Sequence, residues 1–525
     1  MDLARILSVT VLIVGFLASL YLFLKGNYLL TVIIGALSVT PIALFARFRR
    51  GRRVKKGLDL TLVTVITHMY CLSLGNVDAK GLVGGIAKNR EYGVYSRVFT
   101  RIMTLATKLG YGFTKAIGLL TRTVKPPLRD ILIRFSGAIA SRAPKEHLGL
   151  EMSTITEEYT GEYERMAESM KILGGIYASI ISISVLAVMV SSLLTIFLEN
   201  ILIPVIAYML AVLVLTMMVV ALKMASPNEK VVYVGKSPPK TYSLFRLSSM
   251  LAIGGLALPI VTVITMGYEG IPYMLLAAGV ILVGPGLLAY KLESYVNSVD
   301  KFYPTFIKAL GENLSSTTDF KSALSYVLHM ELGALKRHVQ KALNRIKTWV
   351  SAEEALDLMA SETASYQVHM LNNIFAEAFR AGSNPLEVGR ILSSLAIKVL
   401  DLRNKRRVVT RSFETVLVIL QPIVVALLVI LTTLATFFSQ TITKLPFFEL
   451  GYIPVPLVRY GTMIIIVVVA ALNSLSINLV RGGFKGTSLL YAGLLLIESG
   501  IAWIGASTLM NMLLSHFAGG IQLPF

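Results

Sequence analysis

The side chains with the strongest claim to chemistry are six histidines, one cysteine, a glycine-lysine-serine triplet and two opposed charge clusters. His68, His147, His329, His338, His369 and His516 form no HExxH pair and no other strong metal spacing, so they read as ordinary surface or core residues. Cys71 stands alone, which excludes an internal disulfide or a cysteine-based metal cluster within one chain and leaves a small buried apolar side chain. Gly235-Lys236-Ser237 ends like a phosphate-binding loop, but Lys230 holds the position where the first glycine is required. No Gly-x-Ser-x-Gly nucleophile elbow is present. The expectation is a non-enzymatic chain with no catalytic residue, cofactor site or metal site.

The charge clusters are more informative. Glu157, Glu158, Glu162, Glu164 and Glu168 gather in one stretch, with Glu158-Glu162 and Glu164-Glu168 at helical i,i+4 spacing. Such a cluster is a solvated helix face, a cation site or a partner contact. Arg403, Lys405, Arg406, Arg407 and Arg411 form an opposing set, suited to membrane anchoring or to an acidic surface on a partner or on the first polar stretch. Three residues stand out inside apolar stretches. Glu498 is an acid that must be protonated, paired or turned to a cavity there. Gln421-Pro422 should release a backbone hydrogen bond and kink its helix, with Asn473 a candidate polar partner.

The elements that position these residues are set by apolarity. Of 525 residues 55% are hydrophobic, mean hydropathy is +0.70, and the apolar residues come in long blocks. Crossing a membrane takes about 20 such residues, and candidate spans lie near 6–24, 28–46, 172–198, 201–222, 247–268, 271–290, 415–438, 461–480 and 488–514. The expected fold class is therefore all-α, a polytopic membrane protein of about nine transmembrane helices. The net charge of +20 is concentrated beside the spans, which points to orientation and not to direct nucleic-acid binding. Arg47 to Lys56, Lys223 to Arg246, Arg403 to Arg411 and Arg481 to Lys485 all fall on one side, leaving Lys25, Lys444 and Arg459 on the other. That places the N-terminus inside and the C-terminus outside a cytoplasmic membrane, with lipid head groups as partners of the basic run Arg47 to Lys56. Small residues such as Gly254, Gly255, Gly284, Gly286, Gly500 and Gly505 allow close helix approach.

The division is two spans in 1–46, a helical domain in 47–171, two spans in 172–222 and a cytoplasmic linker in 223–246. Two further spans in 247–290, a second helical domain in 291–414 and two spans in 415–480 follow, and 481–525 holds a cytoplasmic loop, the last span and an external C-terminus. Start signals recur at Asn76 before Val77-Asp78, at Ser351 with Glu354, and at Asn384 with Pro385 and Glu387. The two domains align at an offset of roughly 240 residues: Leu72 and Leu82 fall on Leu314 and Leu324, Ala116 and Leu132 on Ala355 and Leu371. Each ends with a charged helix that runs into a span.

The segments Gly112 to Leu120, Pro126 to Asp130 and Ser141, and in the second copy Ala355 to Met359 and Gly382 to Leu386, are similar to the core pattern of the type II secretion system protein F family. Within it the chain resembles the archaellum and archaeal type IV pilus assembly platform proteins, over most of its length to about Phe438. The resemblance implies a homodimeric platform that receives motion from a separate hexameric secretion ATPase and moves pilin-like or archaellin subunits from the bilayer into a filament. The two charge clusters are then candidate ATPase contacts, and Glu498, Gln421 and Pro422 candidate intramembrane functional residues. The rival reading is a secondary transporter built from tandem membrane repeats; a membrane enzyme or receptor would need a catalytic constellation or an output domain.

Overall fold

Aspartate, serine and asparagine set the starts of several helices. Asp59 accepts the Leu62 N–H to open α1 (Leu60–Ser73), and Asp78, two residues beyond the expected Asn76, accepts the Gly81 N–H to open α2 (Ala79–Lys88). α3 (Val94–Met103), α4 (Phe113–Thr121) and α5 (Leu128–Ala140) complete the first polar stretch, and α6 (Pro144–Leu198) leaves it for the membrane. This computed structural model describes residues 57–141, 144–198, 202–227, 229–317, 319–442 and 455–520. The expected spans 6–24 and 28–46, the basic run Arg47 to Lys56, Lys25 and Lys444 lie outside them.

α7 (Leu202–Ala225) returns from α6, and a linker leads to α8 (Lys240–Gly255) and α9 (Leu258–Met266). The span expected at 247–268 is thus two helices: Gly254 and Gly255 weaken the first, and Pro259, which has no N–H to donate, stands in the first turn of the second. α10 (Ile271–Thr317) is one unbroken helix of 47 residues that runs through the span end expected near 290. α11 (Phe320–Val327), α12 (Lys336–Lys347), α13 (Ala352–Thr363) and α14 (Tyr366–Arg380) follow, then α15 (Pro385–Ile442), α16 (Val455–Arg481) and α17 (Ser488–Gly520). Ser351 accepts the Glu354 N–H at α13, and Asn384 accepts the Leu386 N–H at α15 with Pro385 as its first residue. Pro422 does not interrupt α15. All these elements are helical, and an antiparallel bridge between Val232 and Ser365 is the extended pairing recorded among the described residues.

Among the described residues six helical stretches are long and apolar enough to cross a membrane, at 144–194, 203–225, 240–317, 385–437, 458–481 and 485–515. The third holds two expected spans. The protein is therefore an all-α, multi-pass membrane protein. α6, α10 and α15 each run from the polar layer into the apolar bundle without interruption. Element order repeats as well: α1, α2, α4, α5 and α6 are matched by the polar half of α10 and by α11, α13, α14 and α15.

Beside a small cluster of Val231, Leu292, Val296 and Ala364, two large cores result, one in the span bundle and one in the polar layer. The second is continuous across both polar stretches, joining Leu62, Ile66 and Phe99 to Tyr303, Phe306 and Phe375. Polar contacts reinforce it: Ser383 Oγ donates to the Cys71 carbonyl at 2.8 Å, and His68 lies 3.0 Å from Glu377. In the bundle α10 packs most extensively on α17. A Cβ on Gly286 would sit 2.4 Å from the Leu490 backbone, and one on Gly493 2.8 Å from the Gly279 carbonyl, whereas Gly254, Gly284 and Gly505 have nothing within 4 Å. Gly286 and Gly500 therefore serve the close approach expected of them, and Gly254, Gly284 and Gly505 face open space. Gly493→Val should push α10 and α17 apart at a cost of about 1–3 kcal/mol, while Gly284→Val should leave the melting temperature in detergent nearly unchanged.

Candidate functional site

Where the bundle meets the polar layer, α15 carries arginines on successive turns and α10 carries Glu293 and Asp300, seven residues apart and therefore on one face. Neither acid is exposed. Arg403, only 9% exposed, donates to Glu229 Oε2 at 3.2 Å, to Asp300 Oδ2 at 3.0 Å and to Gln367 Oε1 at 3.4 Å. Ser365, the N-cap of α14, accepts the Val368 N–H and donates its own hydroxyl to Asp300. Burial lifts the Asp300 carboxyl above its ordinary range, opposed by Arg403 and Ser365. Burial also disfavours the Arg403 cation, but Glu229 and Asp300 outweigh it and hold the guanidinium charged.

Arg406 is 2% exposed, and no carboxylate among the described residues pairs with it. Its guanidinium donates to the carbonyls of Leu479 at 2.7 Å, Val480 at 2.9 Å and Pro227 at 3.4 Å, and to Ser226 Oγ at 2.7 Å. Leu479 and Val480 are in the last turn of α16, whose unpaired carbonyls carry partial negative charge, and Ser226 and Pro227 follow the end of α7. One cation of α15 thus caps one span helix and grips the segment leaving another. The turn after α16 is fitted to it: Gly482 has φ +74°, and a Cβ there would lie 2.2 Å from Arg406 Cζ. Beyond it Glu293 accepts the Phe484 N–H at 3.0 Å and lies 3.2 Å from Arg481, which donates to the Tyr491 hydroxyl at 2.6 Å. Tyr491 in turn donates to Glu414 at 2.7 Å.

The remaining sequence candidates divide between surface and interior. Lys405 pairs with Glu164 at 2.7 Å, so the basic and acidic clusters meet within the chain, and that hydrogen bond holds the Glu164 carboxyl below its ordinary value. Glu162 accepts the Leu58 N–H at 2.9 Å. Glu157, Glu158, Glu168, Arg407 and Arg411 are exposed. Inside the bundle Tyr177 of α6 donates to Asn473 of α16 at 2.9 Å, Asn473 to Gln421 of α15 at 2.8 Å, and Gln421 to Ser499 of α17 at 3.0 Å. The Gln421 to Asn473 bond was anticipated; its extension to Tyr177 and Ser499 was not. Glu498 stands beside this chain, with Oε2 buried and bonded to nothing among the described residues. Gly235-Lys236-Ser237 is an irregular linker laid on α13, where the Ser237 N–H donates to Ser361 Oγ at 2.7 Å. Among the described residues no group of three His, Cys, Asp or Glu side chains is placed to hold a metal ion.

Sequence reasoning missed Glu229, Glu293, Asp300 and Ser365. Glu293 and Asp300 had a signal, seven residues apart among Leu292, Val296 and Val299 on a helix face otherwise apolar; Glu229 and Ser365 had none, because linker and cap are brought in by tertiary packing.

Fold and site define a multi-pass helical membrane protein whose long spans continue into one helical layer and are clamped to it by buried ion pairs. Among known proteins the chain is similar to "Flagella accessory protein J" of Methanocaldococcus jannaschii, with 24% identity over 422 residues, 77% of this chain and 74% of that one. It is also similar to the protein of the same name from Methanococcus voltae, with 22% identity over 370 residues, 67% of this chain and 66% of that one. These relatives bear out the resemblance to archaellum platform proteins. No family profile matches the chain, and no solved structure does.

Removing the Arg406 guanidinium while keeping its stem, in Arg406→Met, should leave the Val480 carbonyl without its donor, with Ser226 still donating to the Leu479 carbonyl, and cost about 1–3 kcal/mol. The measurement is the melting temperature in detergent. Lys405→Met, which breaks an exposed pair, should leave it nearly unchanged.

Proposed function

We propose that this protein is the membrane platform of an archaellum or type IV pilus-like assembly machine, coupling a cytoplasmic secretion ATPase to insertion of pilin-like subunits into a filament. The observation that carries the reading is the continuity of α6 and α15, helices of 55 and 58 residues that pass from the polar layer into the bundle. A displacement imposed on the polar layer has a direct mechanical route to the spans, because each long helix is internally hydrogen-bonded along its length. The relatives named for the flagella support the same reading.

In this reading the polar layer faces the cytoplasm, the N-terminus lies inside and the C-terminus outside, and two copies form the platform. Its support is the positive charge beside the spans, together with the geometry of the loops expected to be cytoplasmic. Residues 226–227, 229–239 and 481–487 gather at the polar layer, as the hydrogen bonds of Arg406, Tyr233 and Phe484 require. The ATPase contact is the exposed acidic face of α6, at Glu157, Glu158 and Glu168, together with Arg411. Glu498 is the contact for subunits within the bilayer.

The test is a pull-down in mild detergent of the full chain against the secretion ATPases encoded by its source organism, scored by binding and by ATPase stimulation. The wild type should bind one of them, and Glu157→Lys, Glu158→Lys and Glu168→Lys combined should weaken binding by about tenfold or more. Substitutions are preferable to deleting a polar stretch, since both stretches share one core. If a folded wild type binds none of these ATPases, the platform reading fails and substrate-uptake assays become the next step.

A further inference from the structure

The clamp at the junction leaves part of its own surface chemically incomplete. Between the Gly482-Gly483 turn, α10 and α15 lies a small cleft open to solvent. Arg403, Arg406, Arg407 and Arg481 line it together with Glu229 and Glu293, so arginines outnumber carboxylates among its lining residues. Arg403 and Arg481 are matched by carboxylates, and Arg406 by carbonyls. Arg407 makes no ion pair or hydrogen bond among the described residues, and neither the Asn297 amide nor the Gly483 N–H donates to any of them. Three unused donors of different kinds thus belong to the walls of one arginine-rich cleft.

Size and position narrow what completes them. The cleft holds about 20 Å³ of space for a water-sized group, room for an oxygen or two of a tetrahedral anion whose remainder lies in the open mouth. Guanidinium and backbone N–H groups suit phosphate oxygens in particular. The cleft sits at the end of the apolar stretch of α16, which closes at Arg481. Basic pockets between spans at this level suit lipid head groups.

We propose that this cleft binds the phosphate group of an anionic membrane lipid, with Arg407, Asn297 and the Gly483 N–H as donors. The bound lipid supplies the anionic partner that Arg407 lacks among the described residues. It draws α10, α15 and the α16–α17 turn together at the membrane face. A lipid-dependent stiffness of the junction follows, independent of any motor contact.

The experiment uses the full chain in detergent, titrated with phosphatidylglycerol, with phosphatidylcholine of equal chain length, and separately with inorganic phosphate. Retained lipid is read by native mass spectrometry and stability by melting temperature. Phosphatidylglycerol should be retained as a single molecule per chain and raise the melting temperature, and phosphatidylcholine should do neither. Arg407→Gln should weaken retention by about tenfold or more, the loss of one charged hydrogen bond, and Arg407→Lys should keep part of it. Because Arg407 is exposed and unbonded, these variants should melt with the wild type when no lipid is added. Asn297→Leu provides a second, uncharged probe of the same cleft. Retention unchanged in both Arg407→Gln and Asn297→Leu would overturn the site, as would equal retention of phosphatidylcholine. A full stabilisation by inorganic phosphate alone, with nothing added by phosphatidylglycerol, would overturn the lipid as its source.

Discussion

A buried guanidinium with no carboxylate beside it is the constraint on which the junction depends. Arg406 has been taken almost wholly out of water, which costs several kcal/mol for an ion without compensation, and its compensation is geometric. The last carbonyls of α16 have no partner within their own helix, and the planar fork of arginine can satisfy several of them at once. Cation and helix end each relieve what the other lacks. Since Arg406 also holds Ser226 and Pro227, it fixes α15, α16 and the exit of α7 at one point. The Arg403 set then attaches α10, α14 and the linker to the same turn of α15.

That attachment turns a bundle and a helical layer into one mechanical object. Apolar spans have little hydrophobic reason to prefer one neighbour over another in lipid, so polar contacts and close small-residue approaches must specify their arrangement. Here both are present at different depths. The Tyr177, Asn473, Gln421 and Ser499 chain links α6, α16, α15 and α17 within the bundle, and the glycine contacts seat α10 on α17. In the polar layer a shared apolar core does the same work with the ordinary driving force of water. The long helices carry rigidity between the two environments.

Much of this was legible in the sequence wherever a local rule decides the outcome. Long apolar blocks marked the spans, Ser351 and Asn384 marked helix starts, and the constant offset between polar stretches anticipated matching helix order. Where tertiary packing decides, the sequence was silent or ambiguous. Gly284 and Gly286 are two residues apart on α10, yet only Gly286 meets α17, because the face a helix presents to its neighbour is set by the whole bundle. The charge cluster on α15 is similar: Arg403 and Arg406 turn inward while Lys405, Arg407 and Arg411 stay at the surface. Residues three apart share a helix face and adjacent ones do not. Which face is inward was undetermined until the acids of α10 were placed.

The same arginines explain why a rule about topology and a rule about packing coincide here. Positive residues beside spans set orientation during insertion, and for that purpose lysine and arginine serve alike. Burial separates them. A lysine at 406 would bring three donors on a strongly hydrated point charge, whereas the guanidinium offers five in a plane and is more weakly hydrated. Exposed positions beside a span can therefore be either residue, and Lys485 is a lysine. Those that turn inward to the clamp, Arg403, Arg406 and Arg481, are all arginine. Within this basic, membrane-flanking segment the inward positions thus need arginine, while the outward ones admit either cation, as Lys405, Arg407 and Arg411 show.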